Sequence, residues 1–175
     1  MRKATDIILG TGSYDTVKSG NKVSISGDGG KSCGYEGQDY RRLAPRLETF
    51  NPYAEKRKEL NELKKDLTRV KEYQQFRKQI EDEYIESFYN LRLKKLDVED
   101  LLEKLNRKHG KDIILLCYEP IEEFCHRRLV ADFIELKTGI YIPEVSVDEE
   151  GNVEKLIPIR YKKRLNKVMT KSWYN

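Results

Sequence analysis

The spacing of apolar and polar residues changes several times along the chain, and each change marks a different element. "ATDIILGTG" at 4–12 is a short apolar run stopped by Gly10 and Gly12, and "KVSISGDGG" at 22–30 alternates Val23 and Ile25 with polar residues before a glycine cluster. Both read as strands with glycine-rich exits. "DIILLCYE" at 112–119 is apolar without alternation, as expected of a strand covered on both faces. That favours a parallel or mixed sheet carrying helices.

Elsewhere the period lengthens. Residues 54–96 contain no Pro or Gly, and apolar side chains recur at Leu60, Leu63, Leu67 and Val70, then at Phe76, Ile80, Tyr84, Phe88 and Leu91. Steps of three and four are helical. Twelve Lys/Arg and nine Asp/Glu fall in the same stretch, so most of its circumference faces water. The phase shift between Val70 and Phe76 implies a bend or two helices, and leaves the first part free to project. Asp97 is placed to cap the next helix, which Gly110 ends. After Pro120, residues 121–138 open with Glu122 and Glu123, carry an apolar stripe at Leu129, Val130, Phe133 and Ile134, and close at Lys137 and Gly139. These are helix start and stop signals. The fold expected is α/β, a single domain with a small, mostly parallel or mixed sheet flanked by helices in three layers, bearing a long charged helical insertion.

Composition refines this picture. At 175 residues one domain is the default. A charged fraction of 37% and a mean hydropathy of -0.77 exceed what a compact globule needs, and the charged helical stretch supplies the excess. Every apolar run falls short of the roughly 18 residues of a membrane span, and "MRKATDIILGTGSYD" lacks the apolar core of a secretory signal. A cytoplasmic protein without membrane contact is expected. Cys33, Cys117 and Cys125 form an odd set, so free thiols are expected rather than a disulfide framework. Net charge is only +4, but residues 152–175 hold seven Lys/Arg against one Glu, together with Tyr161, Trp173 and Tyr174. Basic charge interleaved with aromatics suits nucleic acid, while a solvated or self-packed tail is the plainer alternative.

The densest chemistry is "CYEPIEEFCHRR" at 117–128. On a helix over 121–138, turning about 100° per residue, His126 falls mid-way across the apolar face, Cys125 and Arg127 on its borders, and Arg128 points away. The first turn of that helix looks at the end of the preceding strand, where Cys117 sits. Cys117, Cys125, His126 and Arg127 therefore converge at the carboxyl edge of the sheet, where open α/β sheets keep ligands. A thiol at a helix start beside an imidazole and a guanidinium has its thiolate favoured, and such a place binds anions. Against this, single buried cysteines and histidines are most often core fillers. Clustering, and the cost of an unpaired Arg near a buried site, favour function.

Sharper motifs are absent. A cysteine phosphatase loop needs Arg at the sixth position after its Cys, and from Cys117 that position is Glu123. A Walker loop needs Gly five residues before Gly30, where Ile25 stands. Cys33, Cys117, Cys125 and His126 would make a Cys3His zinc set, but the spacing is unlike a knuckle, and adjacent helical residues diverge by about 100°. Neither a metal nor a cofactor is assigned.

The blocks "LLCYE" and "FCHRRLVADFI" resemble the bacterial and phage proteins grouped as domain of unknown function 488, which carry a strand ending in Cys-x-Glu, then Cys-His-Arg opening a helix. Here those residues are Cys117, Glu119, Cys125, His126 and Arg127. "SISGD" at 24–28, "YEGQDYRRLAP" at 35–45 and "YIESFYNLRLKKLDVEDLLEKL" at 84–105 are also similar to that family. The resemblance spans about residues 5 to 140 and implies an α/β domain over 1–145, with those residues near one pocket and no established reaction. Residues 54–80 then form a helical expansion, and 146–175 a basic aromatic C-terminal extension.

Two functions compete. In a thiol-dependent enzyme or nucleotide-handling protein, Cys125 is nucleophile or proton donor, His126 tunes it, and Glu119 orients or accepts a proton. Arg127 with Arg41 or Arg42 would hold an anionic group, near Ser26, Gly27 and Tyr40. Glycine exits at 10–12 and 27–30 would bring backbone N–H groups close to a phosphate. The alternative is a non-catalytic binder of a small anionic ligand, nucleic acid or protein.

Overall fold

A computed structural model describes residues 4–171, so Trp173 and Tyr174 lie outside the described residues. Six strands form one sheet: β1 (Ile8–Ser13), β2 (Asn21–Ser24), β3 (Gln38–Asp39), β4 (Ile113–Cys117), β5 (Glu144–Val147) and β6 (Val153–Leu156). Their order is β3-β2-β4-β1-β5-β6, and every pairing is parallel except β5 with β6. Five helices accompany it: α1 (Leu47–Lys64), α2 (Val70–Leu91), α3 (Val98–His109), α4 (His126–Thr138) and α5 (Lys162–Lys171). The result is the expected single-domain α/β fold with a mixed sheet.

All five residues of β4 are buried, and successive side chains enter different clusters. Ile113 and Leu115 join the main core with Phe88 of α2, Leu105 of α3 and Phe133 of α4. Ile114 and Leu116 join a smaller cluster with Val17, Val145 and Val147. Strand side chains alternate between faces, so a strand covered on both loses the alternating signature. The second cover is a thin layer made by the connection from β1 to β2, which crosses beneath β4 and lays Tyr14 and Val17 against it.

Gly10 and Gly12 lie inside β1 rather than at its exit. A Cβ on Gly10 would meet the Pro143 carbonyl oxygen at 2.8 Å, and one on Gly12 would meet Val17 Cγ2 at 2.4 Å. Missing side chains let β5 and the crossing loop pack closely, which explains these residues without any role in holding phosphate.

The charged helical stretch is two helices. Asp66 accepts a hydrogen bond from Thr68 N at 2.9 Å, and α1 and α2 fold back on one another as a hairpin. α1 starts earlier than expected, at Leu47, and passes through Pro52. Its burial is limited to Thr49 and Leu60, whereas α2 buries Ile80, Tyr84, Ile85, Phe88 and Tyr89. α3 follows the capping rules: Asp97 accepts from Asp100 N at 2.9 Å, and Gly110 ends the helix with φ of 83°.

α4 differs from expectation in two respects. It begins at His126, not Ile121, because Pro120 opens a tight turn in which Glu123 N donates to its carbonyl oxygen. It is also buried on all sides through Ile134, so Arg128 points inward. The chain beyond Gly139 supplies the missing cover. Asp132 accepts from Tyr161 N at 2.6 Å and from Arg160 Nε at 3.0 Å, and α5 packs against α2 and α4. Tyr161 is core, and Arg160, Lys162 and Arg164 are paired with acids of α2 and α4. No helix of the described residues is long and apolar enough to cross a membrane.

Candidate active site

β4 delivers Cys117 to the carboxyl edge of the sheet, and the 118–124 turn brings Cys125 back beside it. Cys125 is the N-cap of α4, in extended conformation at φ -148° and ψ 138°, so it and His126 do not diverge as two helical residues would. Cys117 Sγ, Cys125 Sγ and one His126 ring nitrogen lie within 4.8 Å of one another. His126 Nε2 is 2.8 Å from the Ile25 carbonyl oxygen. A carbonyl only accepts, so Nε2 carries a proton, and in the neutral ring Nδ1 keeps a lone pair, 3.6 Å from Cys117 Sγ. Phe88 meets the imidazole edge-on and fixes its plane.

The electrostatics divide the two thiols. Burial opposes ionisation of Cys125, but its hydrogen bond with Cys117, the Arg127 charge and His126 together hold this thiol well below its ordinary range. Cys117 moves the other way, pushed well up by its hydrogen bond to Cys125 and by burial. Of the two thiols, Cys125 is the one whose ionised form the site favours. Glu119 Oε2 lies 3.4 Å from Cys117 Sγ, and burial, reinforced by the Cys125 thiolate, pushes its carboxyl up to about 7. A carboxyl in that range exchanges protons readily at neutral pH. Burial lowers and the Cys125 hydrogen bond raises His126, and the second effect prevails.

These groups form the floor of a cleft of about 1240 Å³. One wall is α1, whose Leu47, Phe50, Ala54, Arg57, Lys58 and Asn61 face the opening at helical spacing. Leu47 and Phe50 are 69% and 48% exposed, an unusual display of apolar surface that the cleft accounts for. Arg46 and Arg92 stand together on the wall. Arg92 Nε donates to the Ala44 carbonyl oxygen at 2.9 Å, and no carboxylate pairs with it among the described residues. Burial, then the like charge of Arg46, lowers the Arg92 pKa, and two adjacent guanidiniums favour an anion between them.

Ser26 and Gly27 line the cleft, and Ser26 Oγ is held by Tyr14 OH at 2.5 Å. Asp28, which sequence reasoning passed over, locks the loop behind them. It accepts from Gly30 N, from Ser32 N and Oγ, and from Tyr118 OH at 2.5 Å. Burial opposes the effect, but Ser32, Tyr118 and the backbone donors hold the Asp28 carboxyl well below the usual range. The N–H groups of Gly30 and Ser32 are therefore committed to Asp28 rather than offered to a phosphate.

The other expected residues separate. Arg41 lines the cleft while pairing with Asp39 at 3.3 Å. Tyr40 and Arg42 instead border a shallow basic depression with Lys104, Arg107 and Lys108. Arg127 turns away from the cleft: Nη1 donates to the Glu119 carbonyl oxygen at 2.7 Å, and Nε and Nη2 donate to Glu144 Oε1. Its anionic partner is internal. Arg128 donates to Thr11 Oγ1 and the Ile142 carbonyl oxygen at 2.8 and 3.0 Å. The α1 wall and Arg92 had only a weak signal in the sequence, namely apolar and basic residues alternating on one helical face.

Comparison with known proteins finds one matching family. The family model described as the active DUF488-N3 subclade matches residues 31–138, which include the Cys117 to Arg127 junction and both helices of the hairpin. No curated protein and no solved structure matches significantly. With more than half of its length matched, the chain belongs to the DUF488 family.

Proposed function

We propose that the protein is a cysteine-dependent enzyme acting on a phosphate-bearing ligand of the nucleotide class. The observation that carries this is the meeting, in one cleft, of a Cys117–Cys125–His126–Glu119 floor with a wall holding Arg46 and Arg92. A buried thiol whose ionisation is favoured marks a functional site, and two adjacent guanidiniums, of which Arg92 pairs with no carboxylate among the described residues, favour phosphate. Phe50 and Leu47 offer a flat apolar surface suited to a base. The reacting centre is the Cys117–Cys125–His126 cluster, in which Cys125 is the essential thiol; Glu119 is the proton donor and acceptor, and Ile25 with Phe88 orient His126. The matched subclade is described as active, which is in keeping with an enzyme.

Three cations of the basic C-terminal segment, Arg160, Lys162 and Arg164, have acidic partners within the fold, which supports the cleft over this segment as the place where the ligand binds. Titrating the full chain with a panel of nucleoside mono- and diphosphates, with calorimetry for binding and mass spectrometry for product, tests the proposal. Binding that Arg46→Ala weakens, and turnover that Cys125→Ser abolishes while binding persists, supports it. Binding without turnover of any panel member makes the protein a non-catalytic binder. No binding at all removes the ligand class.

A further inference from the structure

We infer that Cys117, Cys125 and His126 together bind one zinc-class divalent ion, leaving a fourth coordination place open to the cleft. This rests on the proposal above that the cluster is the reacting centre, and says how its cysteines act: as ligands that hold the ion.

The donor set fits such an ion by distance. With Zn–S near 2.3 Å and Zn–N near 2.0 Å, the edges of a tetrahedral site are about 3.5 Å from S to N and about 3.8 Å from S to S. Cys117 Sγ and His126 Nδ1 are already 3.6 Å apart, and all three donors lie within 4.8 Å of one another. Their proximity follows from the backbone: Cys117 ends a strand, Cys125 is the extended N-cap, and His126 is the first helical residue.

The second shell carries independent weight. A metal-ligating histidine characteristically donates its other ring N–H to a carbonyl or carboxylate, which fixes the tautomer and aims the bare nitrogen. His126 Nε2 meets the Ile25 carbonyl oxygen at 2.8 Å, and the bare Nδ1 faces the sulfurs. Two thiolates and an imidazole are a soft donor set, suited to zinc rather than to magnesium or calcium. Charge is also consistent, because two thiolates neutralise a divalent ion and the thiol protons are released as it binds. A neutral unit is less costly in this buried place than a lone thiolate.

Three protein donors leave a tetrahedral ion one place for water or ligand, and all three line the cleft. Glu119 lies beside them, outside the set of mutually close donors, with Oε2 3.4 Å from Cys117 Sγ. That position suits a group that exchanges protons with a bound molecule rather than one that ligates. Cys33, the fourth member of the Cys3His set that the sequence weighed and set aside, is exposed and donates to the Gly30 carbonyl oxygen, so the site has no place for it.

Tag-free full-length protein, stripped with a chelator and titrated with zinc or cobalt(II), tests the inference. About one equivalent is expected to bind, and the cobalt form should show sulfur-to-metal charge transfer with the visible bands of a tetrahedral site. Cys117→Ser, Cys125→Ser and His126→Ala should each weaken binding by more than about 100-fold, the upper end for loss of an outer-shell partner. Cys33→Ser should leave it unchanged. Zinc should also shield Cys117 and Cys125, but not Cys33, from iodoacetamide in the unmutated chain, a readout independent of whether the variants fold. A cobalt form lacking the charge-transfer band, or zinc that leaves both cysteines open to alkylation, overturns the inference. Phosphate-ligand binding is measured separately: nucleotide binding without metal refutes this site alone, and metal without nucleotide binding refutes the proposed substrate class alone.

Discussion

Arg127 and Glu144 meet in a sealed ion pair, with guanidinium Nε and Nη2 lying 3.0 and 2.8 Å from the same carboxylate oxygen, Oε1. Both residues are 1% exposed. The other carboxylate oxygen accepts from Thr11 Oγ1 at 2.5 Å, and that hydroxyl accepts from Arg128, so one acid on β5 serves two arginines of α4 across β1. Glu144→Gln leaves both guanidiniums without their shared counter-charge. The expected loss is about 3–5 kcal/mol, as for one partner removed from a buried pair. Arg127→Lys should also be destabilising, because an ammonium cannot span Glu144 and the Glu119 carbonyl as the planar fork does. Urea denaturation measures both, and a Glu144→Gln protein as stable as the parent would mean that the pair contributes little.

Glu119 gives the chelator-treated protein a pH dependence of known sign. Its carboxyl is raised from 4.5 to about 7, so the folded state holds this proton more tightly than the unfolded chain does. The associated stability is fully present below the unfolded value and is lost as pH rises through about 7. Glu119→Gln cannot lose a proton, so its stability relative to the parent should rise between pH 4 and pH 8 by on the order of 2–3 kcal/mol. Denaturant midpoints of both proteins at the two pH values provide the comparison. A constant difference would place Glu119 in a more solvated setting than the cleft floor.

Three strands, β1, β2 and β4, and the helices α2, α3 and α4 were legible in the sequence because each buries a regular face, whereas the two-residue β3, the short β5, the mostly exposed β6 and α5 were not read. β4 announced itself by an apolar run, and α3 by Asp97, its periodic leucines and Gly110. α1 was misplaced at its start because it covers a cleft instead of core, so its inward face is Phe50, Arg57 and Lys58 rather than a leucine stripe. Cys117, Cys125 and His126 were found from strand-to-helix order alone. Arg127 was brought to the correct junction but given the wrong direction, since its partner Glu144 opens β5, a strand for which the sequence reading found no signal. Long-range pairing of that kind has no local pattern.

The glycines of β1 offer a test of the close packing beneath β4. In Gly12→Ala the new Cβ would sit 2.4 Å from Val17 Cγ2 and 2.9 Å from the Val145 carbonyl oxygen, so one of the two must move. Overpacking of this sort costs about 1–3 kcal/mol. Adding Val17→Ala removes the closer clash but not the backbone one, so the double variant should be less destabilised than the sum of the two single changes. Thermal midpoints of the three variants measure the coupling, and strict additivity would show that the crossing loop yields freely.

The two halves of the cleft wall should affect ligand binding in separable ways. Arg46 is exposed, with only a 3.8 Å contact to Glu48, so Arg46→Ala should leave the fold intact while weakening nucleoside phosphates. The loss should be about tenfold at low salt and should lessen the salt dependence by about one phosphate contact. Phe50 carries no charge, and its ring lies on the cleft side of α1. Phe50→Ala should weaken nucleotides by about 1–3 kcal/mol, the range for loss of one stacked base, yet leave inorganic pyrophosphate unaffected. Calorimetric titrations with nucleotide and pyrophosphate against both variants separate charge from stacking. Equal losses for the two ligands on Phe50→Ala would mean that the ring supports the helix rather than a base.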